Sequence, residues 1–179
     1  MKKIIFVLFA LLSVSVYAEN LTGFWGVEFG SSKDEVEQMM KNRGWTIKNS
    51  SASEITYTMK DAKYAGLNAG DITFTFNEER FSNTTVVISM TKTEKIQDVA
   101  EDLIDKYDLS LLKTESSYIQ GMPCKISMYI SSNGNTFGYT LISVSDNSIA
   151  MFNFISSTDV LNMAEKEKAK KREAMKDDL

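Results

Sequence analysis

Few groups in this chain could do chemistry, and their types exclude more reactions than they suggest. Among 179 residues there is no histidine and one cysteine. Without His, the commonest general base, metal ligand and activator of a Ser or Cys nucleophile is missing. A lone Cys cannot build a thiolate zinc site or a CxxC redox pair within one chain. Neither GxxxxGK[ST] nor GxGxxG occurs, so the usual phosphate-cradling loops are absent. Carboxylates, lysines and tyrosines remain. Glu78-Glu79 sits in a predicted turn and reads as two solvated charges rather than an acid–base pair. Asp102, Asp105 and Asp108 recur at helical spacing but lack the glycine and terminal Glu of a calcium loop, so they read as a wet helix face. Cys124 is in phase with Ile126, Met128 and Ile130, which predicts a buried, unpaired thiol. Pro123 before it marks a strand start. No catalytic residue, metal or cofactor is assigned from the sequence.

Binding is better represented. On the predicted strands the residues expected to face away from the core are short and hydroxylated: Thr56, Thr58, Thr73, Thr75, Thr85 and Ser89, then Ser127, Tyr129, Ser131 and Thr140. Threonine's strand propensity alone could produce such a face. A face nearly free of Lys and Glu also costs little to desolvate against a partner. Thr73, Thr75, Ser127 and Tyr129 are therefore the expected binding surface, with Ile72, Phe74, Phe76, Ile126, Met128 and Ile130 on the covered side. Phe24, Trp25 and Phe29 form a second candidate, although aromatics beside a helix start commonly serve the core. The alternative function is a small pocket enzyme or ligand carrier using Asp, Glu, Lys or Tyr beside Trp25.

The elements that must position these residues follow from local pattern. Gly23 to Phe29 reads as an aromatic strand, and Gly30 permits a sharp turn. Ser32 with Glu35 is a capping box opening a helix over 32–43, which ends at Gly44. Trp45 and Ile47 start a strand on one face. Ile55, Tyr57 and Met59 alternate with threonines, a half-buried strand. Tyr64 to Leu67 continues past a bend at Asp61, Asn68 to Asp71 reads as a turn, and Ile72, Phe74 and Phe76 form the next strand. After a turn at Asn77 to Arg80, Val86, Ile88 and Met90 mark another. Thr91 with Glu94 repeats the capping-box spacing. Ile96, Val99, Ala100, Leu103, Ile104 and Tyr107 then give a second amphipathic helix. Further strands surround Asn133-Gly134, which predicts a type I′ hairpin. Asp146-Asn147 makes a turn, and 149–155 is the last strand.

The pattern predicts an α+β fold with antiparallel pairing, built from two helix-plus-strands units at 23–91 and 92–157, a possible tandem repeat in one globule over 19–157. Residues 158–179 carry no Gly or Pro and are dominated by charge, predicting a helical tail, dispensable from about Lys166 onward.

The first eighteen residues read as a signal peptide: Lys2 and Lys3, the apolar run from Ile4, and Val16-Tyr17-Ala18, with cleavage after Ala18. The run is shorter than the ~20 residues of a membrane span, and no other stretch is long enough. Loss of Lys2 and Lys3 leaves 18 basic residues of the original 20 against 24 acidic ones. A mature net charge of −6 follows, which disfavours nucleic acid. The expected location is periplasmic or extracellular, and the expected partner another exported or envelope protein.

Gly30-Ser31-Ser32-Lys33-Asp34-Glu35-Val36 resembles the Gly-x-Ser/Thr-x-x-Glu/Gln-Val helix opening of small exported bacterial modules. These are the β-lactamase-inhibitor-protein-like repeats and the outer-membrane assembly lipoproteins of the SmpA/OmlA type. The helix-then-strands order is similar too. The resemblance implies a non-enzymatic protein-binding module. This chain lacks the lipid-attachment Cys of the lipoproteins and the disulfide-forming Cys pairs of the inhibitor.

Overall fold

The computed structural model describes residues 19–162, 164–165 and 168–169. The predicted leader, its cleavage site at Ala18 and most of the charged tail lie outside the described residues. The elements in order are β1 (Gly23–Phe24), β2 (Val27–Glu28), α1 (Lys33–Asn42), β3 (Thr46–Ser50), β4 (Glu54–Thr58), β5 (Lys63–Tyr64), β6 (Leu67–Asn77), β7 (Arg80–Lys92), α2 (Thr93–Lys106), β8 (Ser110–Ile119), β9 (Met122–Ile130), β10 (Thr136–Val144) and β11 (Asn147–Ile155). The fold is α+β and compact. Eight strands form one antiparallel path in the order β3-β4-β6-β7-β11-β10-β9-β8, with β5 pairing β6 off it. Each half of the chain thus supplies one helix and then four neighbouring strands. The last strands of the halves, β7 and β11, lie side by side.

Helix α1 starts as its sequence predicts. The Ser32 hydroxyl accepts from the Glu35 amide at 3.4 Å, and the Glu35 carboxylate accepts from the Ser32 amide at 2.7 Å. The Ser32 backbone bond, then its hydroxyl, hold the Glu35 pKa below the usual carboxylate range. Val36 and Met40 are buried, whereas Met39 packs only partly against the core. Helix α2 starts differently. Thr91 belongs to β7, the N-cap is Lys92, and its side chain makes no capping bond. The amide of Thr93 instead donates to Asp146 O at 3.1 Å, and the Thr93 and Ser148 hydroxyls meet at 2.8 Å. The β10–β11 turn replaces the expected Thr91–Glu94 box, because β7 runs on to pair Thr91 with Ser148.

The core is an aromatic layer between the sheet and both helices. One transverse register row runs Ile55, Phe74, Thr84, Phe154, Phe137, Tyr129, and directly paired residues share a face. Val36, Met40, Ile96 and Ala100 of the helices belong to the same buried cluster as Phe74, Phe137 and Phe154. Phe24 of the small β1–β2 hairpin fits among them, 5.2 Å from Phe154 and 5.8 Å from Phe74 between ring centres.

Several local expectations are corrected. The turn placed at Asn68 to Asp71 is strand; the reversal is at Ala65-Gly66, where both φ are positive, and Tyr64 pairs Leu67. Met90 is 53% exposed because a register shift beside it breaks the alternation; Ile47, opposite the buried Tyr57, is 52% exposed because it lies on the edge strand β3, where every residue is exposed. At Asn133-Gly134 only Gly134 has positive φ, so the loop is not type I′. Gly134 N donates to Ser131 O and Ser131 N to Asn135 O, which leaves the Asn133 and Asn135 side chains free to grip Leu21 O at 3.1 and 2.6 Å.

The two-residue turn at Glu78-Glu79 is of the type I′ kind, with φ of +49° and +63° between paired Asn77 and Arg80. Neither residue is suited to that conformation. Changing the pair to Asn-Gly should raise stability by about 1 kcal/mol, read as a higher urea midpoint at unchanged slope; no gain would mean that other contacts dictate the turn.

Candidate functional site: the uncovered face of the sheet

With α1 and α2 on one face, the sheet's other face is defined by the alternate register rows. One row runs Thr56, Thr73, Thr85, Asn153, Gly138, Met128. Its neighbours run Val87, Met151, Thr140, Ile126 and Asn83, Ile155, Thr136, Ile130. Along β10 this face is itself buried at Thr136, Thr140 and Ile142, and on the strands around it the face has two halves of different chemistry. On β4, β6 and β7 it is hydroxylated and internally bonded. Thr56 and Thr73 hydroxyls meet at 3.0 Å, and Thr85 Oγ1 donates to Asn153 Oδ1 at 2.8 Å. On β11 and β9 it is Ile and Met, with Ile126, Met128, Ile130, Ile149, Met151 and Ile155 half-buried. None of these six belongs to the core cluster.

Of the residues expected to bind, Thr73 and Thr75 lie on this face and Ser127 and Tyr129 do not. Tyr129 pairs with Phe137 on the helix side and stacks on Tyr139 at 6.2 Å between ring centres. Its pKa is raised, chiefly by burial. Ser127 is 1% exposed, its hydroxyl 3.3 Å from that of Thr114. Ser131 is buried in the β9–β10 loop and bonds Asn135 O at 3.0 Å. Ile126, Met128 and Ile130, expected in the core, occupy the uncovered face instead. The physical reason is phase. Alternation along β9 separates two sets without saying which faces the helices. That choice was made by β10, whose Phe137, Tyr139 and Leu141 are the better core set and carry Tyr129 and Ser127 inward with them. The usable signal was comparative: β11 offers Phe152 and Phe154 against Met151 and Asn153, and burial follows the aromatics.

Cys124 is free and buried, 5% exposed. Its pairing with Ile142 places it on the uncovered face, outside the main core cluster. Thiol labelling of the folded protein should be slow and become fast on unfolding; equal rates would show an accessible thiol.

The aromatic candidates divide. Phe24 is 3% exposed and structural. Phe29 is half-buried, 5.1 Å from Phe81. Trp25 holds φ of +52°, bulky for that region. The Arg43 guanidinium sits 4.7 Å over its ring and donates to its carbonyl at 3.3 Å. Beside Trp25 a groove of about 390 Å³ carries Glu28, Lys106 and Tyr107, with Glu19 paired to Lys106 at 3.1 Å. That bond raises the Lys106 pKa, the wrong direction for a lysine base or nucleophile. A larger groove of about 660 Å³ lies between Phe29, Arg80 and Asp159. The Tyr57 hydroxyl, pushed up to about 12 mainly by burial, has no hydrogen-bond partner among the described residues. No group of three His, Cys, Asp or Glu side chains that could hold a metal ion occurs among the described residues. No described helix is long and apolar enough to cross a membrane.

No family model matches the chain, and no curated protein matches it. Among solved structures, the solution structure of cyanobacterial PsbP (CyanoP) from Synechocystis sp. PCC 6803 is similar, with a TM-score of 0.42 and 12% identity over 66% of this chain and 89% of that one.

Proposed function

We propose that the chain is an exported, non-catalytic binding protein, built as two tandem helix-plus-sheet repeats, whose uncovered sheet face docks another exported or envelope protein. The observation that carries this reading is the placement of both helices against one face. It leaves Ile126, Met128, Ile149 and Met151 uncovered beside Thr73 and Thr75. A half-buried Ile and Met surface gains further free energy when a partner removes the rest of it from water, and methionine adapts to varied partner shapes. The adjoining threonines add hydrogen-bonding capacity without the desolvation cost of charge. The leader-like start with Lys2, Lys3 and Val16-Tyr17-Ala18 supports export. The matching element order of the two halves, with β7 beside β11, supports duplication.

Photo-crosslinkers placed singly at Met151, Thr75 and Glu101 test the reading in the protein's own envelope. Positions 151 and 75 should capture the same partner, and position 101 on α2 should not. Met151→Lys should then weaken that complex by about 1 kcal/mol or more while leaving the urea midpoint nearly unchanged. Capture from position 101 alone would move the interface to the helices and overturn the proposal.

A further inference from the structure

We infer that β8 is a self-pairing edge, through which a second copy of this chain extends the sheet by antiparallel β8–β8 addition about a two-fold axis at Thr114. The two ends of the sheet are not equivalent. β3 is short, Ser50 being its fifth residue. It is broken by a register shift between Ile47 and Asn49, and Lys48 is tied to Asp71 at 2.5 Å. Short length, a bulge and a lysine are the usual ways of blunting an edge. β8 is ten residues long and exposed from Ser110 to Tyr118. Its only strand partner among the described residues is β9. Three large apolar side chains stand exposed on it: Leu111 at 60%, Leu112 at 53% and Tyr118 at 74%.

The charges on β8 choose the occupant and its register. Lys113 and Glu115 pair with Met128 and Ile126 respectively, so both project from the uncovered face, and they meet at 3.2 Å. An axis at Thr114 sets each Lys113 opposite the second copy's Glu115, twice over, in a ring of alternating charge. Sliding by one allowed step brings Glu115 against Glu115 in one direction and Lys113 against Lys113 in the other. Like charges directly opposite are destabilising, so the neighbouring registers are disfavoured and the strand is complementary to itself. The shift between Leu111 and Lys113 lets Leu111 and Leu112 share one opposing residue, the second copy's Ser116. Leu111 then lies diagonal to the second copy's Tyr118, both on the helix side, where they pair with Tyr129 and Pro123 in their own chain. The backbone of β8 supplies the ladder, the charges its register, and Leu111 and Tyr118 the apolar contact.

Sedimentation equilibrium on the protein as recovered after export tests this without any other partner. The wild type should dimerise in the micromolar range. Lys113→Glu and Glu115→Lys, each alone, should weaken the dimer about tenfold or more, because both cross-pairs become repulsive. Mixing the two single variants should restore dimerisation as a heterodimer, and the double exchange K113E/E115K should restore it within one chain. Circular dichroism verifies that each variant is folded. A wild type monomeric at all concentrations, single variants that dimerise normally, or a mixture that fails to recover would each overturn the inference. Pairing of β8 with an extended peptide of another protein, in place of self-association, would do the same. The docking reading is tested separately, by crosslinkers at Met151 on β11 and Thr75 on β6 in a chain that keeps Lys113 and Glu115, so either result can fail without the other.

Discussion

Phe137→Ala should cost about 3–5 kcal/mol of folding stability. Phe137 is wholly buried. Its ring centre lies 5.2 Å from Phe154, 5.8 Å from Phe152, 6.1 Å from Tyr139 and 6.4 Å from Tyr129. Truncation removes the transfer free energy of the ring and leaves a cavity walled by rigid aromatics that cannot collapse into it. For a domain of this size the thermal midpoint should fall by roughly 10 °C. Phe137→Leu, which keeps most of the volume, should cost less than half as much. Urea unfolding followed by the fluorescence of Trp25 and Trp45 measures both. A loss under about 1 kcal/mol for the alanine variant would mean that the aromatic layer does not hold the halves together.

Asn135→Ala should cost about 2–4 kcal/mol through a different mechanism. Asn135 is 8% exposed, yet its side chain reaches two distant parts of the chain. Nδ2 donates to Leu21 O at 2.6 Å, and Oδ1 accepts from the Ser157 amide at 2.6 Å. The β9–β10 loop thereby clamps the start of the domain and the first turn of the segment after β11. Alanine leaves the Ser157 amide without its acceptor, and Leu21 O keeps only the longer bond from Asn133, at 3.1 Å. An unsatisfied buried group costs more than the net worth of the bond it lost. Asn135→Asp should be no better, since it sets a carboxylate against the Leu21 carbonyl. Hydrogen exchange at the Ser157 amide should accelerate at least as much as global stability falls. Unchanged exchange there would place the clamp elsewhere.

These two residues show how unevenly the sequence discloses the fold. Phe137 alternates with Tyr139 and Leu141, so the sequence alone marks its strand and its apolar side. Asn135 was legible only as part of a turn, because its partners are more than twenty residues away in one direction and more than a hundred in the other. The candidate binding face was half legible. Thr73 and Thr75 stand on it, since Ile72, Phe74 and Phe76 had no competitor for the core. Ser127 and Tyr129 do not, since β9 carries two plausible apolar sets. The exposed edge β8 was not distinguished at all; apolar and polar residues do not alternate from Ser110 to Ile119.

What the sequence determined by itself is whatever local chemistry decides. Ser32 and Glu35 bond each other three residues apart, and α1 begins there. Ile96, Ala100, Leu103 and Tyr107 recur at helical period, and α2 follows. Alternation from Ile72 to Phe76 makes a strand with a covered side, and the absence of histidine removes whole classes of reaction. The tertiary structure decided phase, order and ends. Pairing with β10 turned Tyr129 toward the helices and Met128 away from them. Pairing of β7 with β11 joined the two meanders into one sheet and drew Thr91 out of the helix cap. The same order left β3 and β8 as its edges. A strand's period is a property of its own residues. Its face and its neighbours are settled by competition among distant strands for one buried layer, and the largest aromatics win that layer because they remove the most apolar area from water.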